Sequence, residues 1–111
     1  TVNSTDSLNY LVDLLERNEN LVIQLEAHTD SRGSSSDNKT LSQSRAETCV
    51  NYLQEKGIAA ERMVAVGYGE DALLVSDAEI NRMNPDNREM AHQRNRRTVF
   101  KIVRFDYKPS E

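Results

Sequence analysis

Apolar residues recur at helical spacing through the first seventeen positions. Leu8, Leu11, Val12 and Leu15 follow i, i+3, i+4, i+7, so one face of this segment is greasy. The pattern predicts a helix over residues 4–17, with Ser4 or Thr5 as N-cap and Asp6 in the first turn. The run "RNEN" breaks the pattern. The period then changes to two: in "LVIQLEA", residues 21–27, Leu21, Ile23, Leu25 and Ala27 share one face. Val22, Gln24, Glu26 and His28 share the other. A strand with one apolar and one mixed face suits a sheet covered by helices on one side.

A second helix is predicted from about Lys39 to Lys56, with Ala46, Cys49, Val50 and Leu53 as its core stripe and Gly57 as the residue that ends it. On that stripe Cys49 is expected to be a buried thiol. "RMVAVG" gives a short strand at residues 62–67, ended by "GYG". Ser76 is placed to cap a short helix through Met83, and Asn84-Pro85 reads as a turn or a fresh helix start. The finish "RRTVFKIVRF" is β-rich with both faces partly apolar: Phe100 and Ile102 on one, Val99, Val103 and Phe105 on the other. This pattern predicts a central or well-covered strand. The order helix, strand, helix, strand, short helix, strand implies an α+β fold, a two-layer α/β sandwich. The strands at 21–27 and 62–67 should be parallel, joined by a right-handed crossover. Three strands make a thin sheet, and the expectation is a further strand ahead of residue 4 in a longer parent.

Bulk properties narrow this picture. The 111 residues read as one domain, 1–111, with 37% hydrophobic and 29% charged residues. No apolar run approaches the roughly 18 residues of a membrane span, so direct insertion by this domain is not expected. Thr1 opens a polar stretch without the pattern of a signal peptide. A net charge of −4 argues against nucleic acid, whose phosphates reward a basic face. The single cysteine rules out a disulfide within the chain.

The candidate chemistry lies in "HTDSRGSSSDNKTLSQSRAE", residues 28–47. Asp30 stands at the C-terminal end of the first strand, where ligands of βαβ sheets tend to bind. On a wheel of about 100° per residue, Arg45 lies about 90° from the centre of the apolar stripe. Asn38, Leu41 and Tyr52 lie within about 40° of Arg45. Arg45 is therefore on the shoulder of the helix, and its side chain leans back toward the helix start and Asp30. A guanidinium takes a carboxylate through paired hydrogen bonds, and a carboxylate takes an ammonium. Together they suit the amino-acid end of a zwitterionic ligand. The same two residues could instead pair with each other.

Four blocks in order then carry a family likeness: HTD at 28–30, N..LS..RA at 38–46, GYGE at 67–70 and NRR at 95–97. The chain resembles, over residues 8–105, the OmpA-like C-terminal domain, the peptidoglycan-binding module shared by OmpA, the Pal lipoproteins and the flagellar stator protein MotB. The resemblance implies the OmpA-like βαβαβ fold and a noncovalent grip on the diaminopimelate of the peptidoglycan stem peptide. It implies that Asp30 holds the ligand's ammonium and Arg45 its carboxylate. Asn38 and Leu41 would line the same groove, with Thr29 beside them, backbone N–H groups of loop 31–34 adding bonds and Arg97 in support. It further implies a periplasmic domain that anchors an outer-membrane protein, lipoprotein or envelope complex, secretion and motility machines included, to the wall of a Gram-negative cell. Two departures stand out: members carry a strand with an Asp or Asn before the first helix, and segment 71–94 is longer here than in many of them.

Other constellations are weaker. His28, Asp30, Cys49 and His92 lack the close ligand spacing of structural zinc, so no metal and no cofactor is expected. The loop serines have no evident histidine partner, which argues against an enzyme. "RNRR" at 94–97 reads as the entry to the last strand rather than a nucleic-acid patch. The remaining alternative is a protein-interaction module of an envelope complex, docking through its acidic surface and segment 71–94.

Overall fold

The computed structural model describes residues 5–109. In chain order the elements are α1 (Thr5–Arg17), β1 (Val22–His28), α2 (Ser35–Glu55), a 3-10 turn at Ala60–Arg62, β2 (Met63–Gly69), α3 (Asp77–Ile80), α4 (Pro85–Asn95) and β3 (Arg97–Arg104). The strand order is β2-β1-β3, with β1 parallel to β2 and antiparallel to β3. This mixed sheet with its helices is the expected α+β architecture. Ser4, a candidate N-cap, lies outside the described residues.

The apolar face of β1 behaves as its alternation requires. Ile23, Leu25 and Ala27 are fully buried, and Ile23 and Leu25 pack with Leu11 and Leu15 of α1 and Leu53 of α2. Gln24 and Glu26 stay half-buried on the opposite face, where Glu26 pairs with Lys101. Cys49 is only half-buried, at the margin of the core rather than inside it. Arg62 is buried and donates to the carbonyls of Leu15, Asn18 and Leu21, tying the end of α1 to the start of β1.

Helix α2 begins four residues earlier than its apolar pattern suggests. Ser34 is the N-cap, its hydroxyl accepting from the Asp37 N–H, and Asp37 complements the helix dipole from the first turn. Gly57 follows the C-cap with φ +98. The Gly57 N–H donates to Gln54 O and the Ile58 N–H to Leu53 O, the paired bonds of a Schellman ending, and Ile58 drops into the core.

The N-terminal half of α2 is held to the sheet by polar contacts. The Gly69 N–H donates to Ser42 Oγ, the Gly67 N–H donates to Gln43 Oε1, and Gln43 Nε2 donates to Ala65 O. These bonds occupy backbone groups on β2, an edge strand, and so blunt its free edge. The approach is close enough that a Cβ on Gly67 would sit 2.1 Å from the Gln43 backbone nitrogen.

Segment 71–94 is ordered around a small second cluster of Val75, Ile80 and Ala91. Ser76 caps α3, which ends at Ile80 rather than Met83. Asn84-Pro85 proves to be a fresh helix start: Asn84 caps α4 with Pro85 in its first turn. The fully buried Asn95 pins the segment. Its Oδ1 accepts from the Leu74 and Val75 N–H groups, and its Nδ2 donates to Val75 O.

The expectation for β3 is overturned. β3 is not central or well covered but the other edge strand, and Ile102 (40%), Val103 (39%) and Phe105 (71%) are exposed. Phe100 packs on the core, while Ile102 on the same face and Val103 on the other stay exposed.

Gly67→Ala should destabilise the protein by about 3 kcal/mol, because backbone rather than a side chain must move. Urea unfolding measures this, and a change within about 1 kcal/mol would show that α2 does not bear on β2 there.

Candidate functional site

The site forms where β1 ends. The β1–β2 register shifts between Ala27 and His28, and the Thr29 N–H then donates to Gly69 O at 2.8 Å. Thr29 is buried, its hydroxyl donating to Asp30 O, so its side chain shapes the turn rather than a groove. Asn38, in the first turns of α2, donates through Nδ2 to the carbonyls of Asp30 (3.2 Å) and Arg32 (3.0 Å). It is therefore a clamp that fixes loop 31–34 against the helix.

Asp30 is 6% exposed and heavily bonded. Its Oδ1 accepts from the Arg32 backbone N–H at 3.0 Å. Its Oδ2 accepts from Arg32 Nη2 at 2.8 Å, Arg32 Nε at 3.2 Å and Arg96 Nη1 at 2.6 Å. Both arginines also reach Glu89: Arg32 through Nη1 at 3.0 Å, Arg96 through Nη2 at 3.1 Å. Two acids and two guanidinium groups thus form a closed network between loop 31–34 and α4. Burial pushes the Asp30 carboxyl upward, but the hydrogen bonds from Arg32 and Arg96 outweigh it and hold the pKa at about 2.

Asp30 and Arg45 are not partners. Arg45 is exposed and makes no ion pair or hydrogen bond among the described residues. It stands two turns beyond Asn38 on the same face of α2, roughly 10 Å of helix rise away. Leu41 lies between them on that face, 44% exposed. Asp30, Asn38, Leu41 and Arg45 therefore mark one strip running from the strand end along α2.

Arg97 points elsewhere. It donates to Asn95 O and to Ala72 O, and its charge faces His28. His28 is stacked on Tyr68 with ring centroids 5.2 Å apart. Burial, with the Arg97 charge adding to it, pushes the imidazole below its ordinary pKa. The arginine that reaches Asp30 is the preceding one, Arg96. Sequence reasoning missed Arg32, Glu89 and Arg96. The only hint was strand alternation, which turns adjacent residues of "NRR" to different sides. Among the described residues no group of three or more His, Cys, Asp or Glu side chains is placed to hold a metal. No described helix is long and apolar enough to cross a membrane.

Because the Asp30 pKa falls from 3.8 to about 2 on folding, the ionised carboxylate stabilises the native state above its unfolded pKa. That stability is lost as pH drops through about 2. Asp30→Asn should cost about 2 kcal/mol near neutral pH, and the gap from wild type should close between roughly pH 5 and pH 2. Urea unfolding at stepped pH checks this; a gap constant with pH would contradict the assignment.

The profile of the OmpA family matches residues 1–88. The peptidoglycan-associated lipoprotein of Buchnera aphidicola subsp. Baizongia pistaciae is 33% identical over 94 residues, 85% of this chain and 49% of that protein. Photosystem I P700 chlorophyll a apoprotein A2 of Gloeobacter violaceus is 35% identical over 97 residues, 86% of this chain but 11% of that protein. The chain thus spans half or less of these relatives. Among solved structures, a MotB-like protein from Desulfovibrio vulgaris superposes with a TM-score of 0.69 at 25% identity, over 96% of this chain and 66% of that one. The matched profile, the lipoprotein relative and the shared fold lead to one conclusion: the chain belongs to the OmpA family.

Proposed function

We propose that this domain binds peptidoglycan without catalysis, taking the diaminopimelate of the stem peptide, and so anchors a larger envelope protein to the wall in the periplasm. The parent would be an outer-membrane protein, a lipoprotein or a subunit of a secretion or motility complex. Support comes from the related lipoprotein, whose name states its association with peptidoglycan. The observation that carries the reading is Arg45: an exposed guanidinium without a partner among the described residues, on the strip that leads from Asp30.

In this mechanism Arg45 takes the ligand carboxylate as a bidentate pair and Asp30 takes the ammonium. Leu41 contacts the aliphatic part between the charged groups. Asn38, Thr29 and Arg97 act at one remove, holding the loop, the strand end and segment 71–94 in place. Recognition of this charge pattern uses no metal, no cofactor and no bond cleavage. Few contacts make each site weak, because association entropy opposes them, so several copies in one parent assembly would strengthen anchoring through avidity.

Arg45→Ala should weaken retention on purified sacculi about tenfold or more, the loss expected for a charge-assisted hydrogen-bonded pair. Its melting temperature should stay close to wild type, since an exposed side chain without a partner is removed. Asp30→Asn should also lose retention, and intact protein should release no soluble fragments from the sacculi. Full retention by the Arg45→Ala protein would overturn the assignment.

A further inference from the structure

The Asp30 network leaves little room for a guest. Oδ2 already receives three N–H donors against two lone pairs, and the side chain is 9% exposed. The two arginines that cover it are not equivalent. Arg96 is 29% exposed and rooted where α4 meets β3. Arg32 is 49% exposed and sits on the short loop between β1 and α2.

We propose that the Arg32 side chain is an internal competitor for the ligand's ammonium, covering Asp30 and swinging aside when the ligand arrives; this rests on the wall-binding reading above. The geometry provides for both positions. The Arg32 backbone N–H holds Asp30 Oδ1 independently of the side chain, so the carboxylate stays oriented when the guanidinium leaves. Arg96 remains on Oδ2. Glu89, already bonded to Arg32 Nη1, is exposed and keeps a counter-charge for the displaced guanidinium. The swing therefore exchanges one cation for another at Asp30 and leaves no buried charge without a partner. Its consequence is selectivity. A ligand must bring its own cation, or Arg32 stays where it is, and part of every binding energy is used to displace it.

The test is calorimetric titration of a soluble diaminopimelate-containing stem tripeptide into wild type, Arg32→Gln and Arg32→Lys, with Asp30→Asn as the binding-dead control. Removing a half-exposed ion-pair partner should tighten binding about threefold to fivefold in Arg32→Gln. Arg32→Lys, which restores the competing cation, should fall back toward wild type. Thermal melts confirm that each variant is folded. If wild type binds and Arg32→Gln binds equally or more weakly, Arg32 is no competitor and the proposal fails alone. If neither wild type nor Arg32→Gln binds while both are folded, the diaminopimelate reading fails and takes this proposal with it.

Discussion

The seating of α2 on β2 is the constraint from which the rest of the molecule follows. A helix usually docks through an apolar stripe, and the C-terminal half of α2 does so with Ala46 and Leu53. Its N-terminal half docks through Asn38, Ser42 and Gln43, whose side chains satisfy backbone groups of β2 and of the loop after β1. Such bonds are directional, and they set the height and rotation of the helix more tightly than apolar contact would. The missing Cβ of Gly67 makes the approach possible. Once α2 is turned this way, Leu41 and Arg45 face outward.

The charges follow from that arrangement. Asp30 emerges under the loop that Asn38 clamps, and α4 brings Glu89 and Arg96 to meet it. Its burial would be costly for a lone carboxylate, and two guanidinium groups offset that cost. The same pairing makes Asp30 structural as well as a candidate ligand group. Arg45 carries no such double duty, being exposed and without an ion pair among the described residues.

Segment 71–94 has a comparable logic. A satellite cluster around Val75 and Ile80 is too small to hold it, and one buried asparagine adds the needed bonds. Asn95 therefore orders the chain before α4, while its neighbours Arg96 and Arg97 diverge, one to Asp30 and one to the carbonyl of Ala72. Three adjacent polar residues thus serve three different places.

Much of this was legible in the residue order. The periods of Leu8–Leu15 and of Leu21–Ala27 determined α1 and β1 almost to the residue, because burial on one face imposes its period locally. Gly57 marked the end of α2, and the motif blocks picked out Asp30 and the helix face that carries Arg45. What escaped was decided at longer range. The start of α2 at Ser34 rested on a hydroxyl cap that apolar periodicity does not register. The place of β3 at the edge depended on β1 pairing with both other strands, and one partner of Asp30 depended on which arginine of two neighbours the turn into β3 aims inward. Sequence patterns report which side of an element is buried; only the assembled sheet and helices decide which charged groups, far apart in the chain, come within hydrogen-bonding distance.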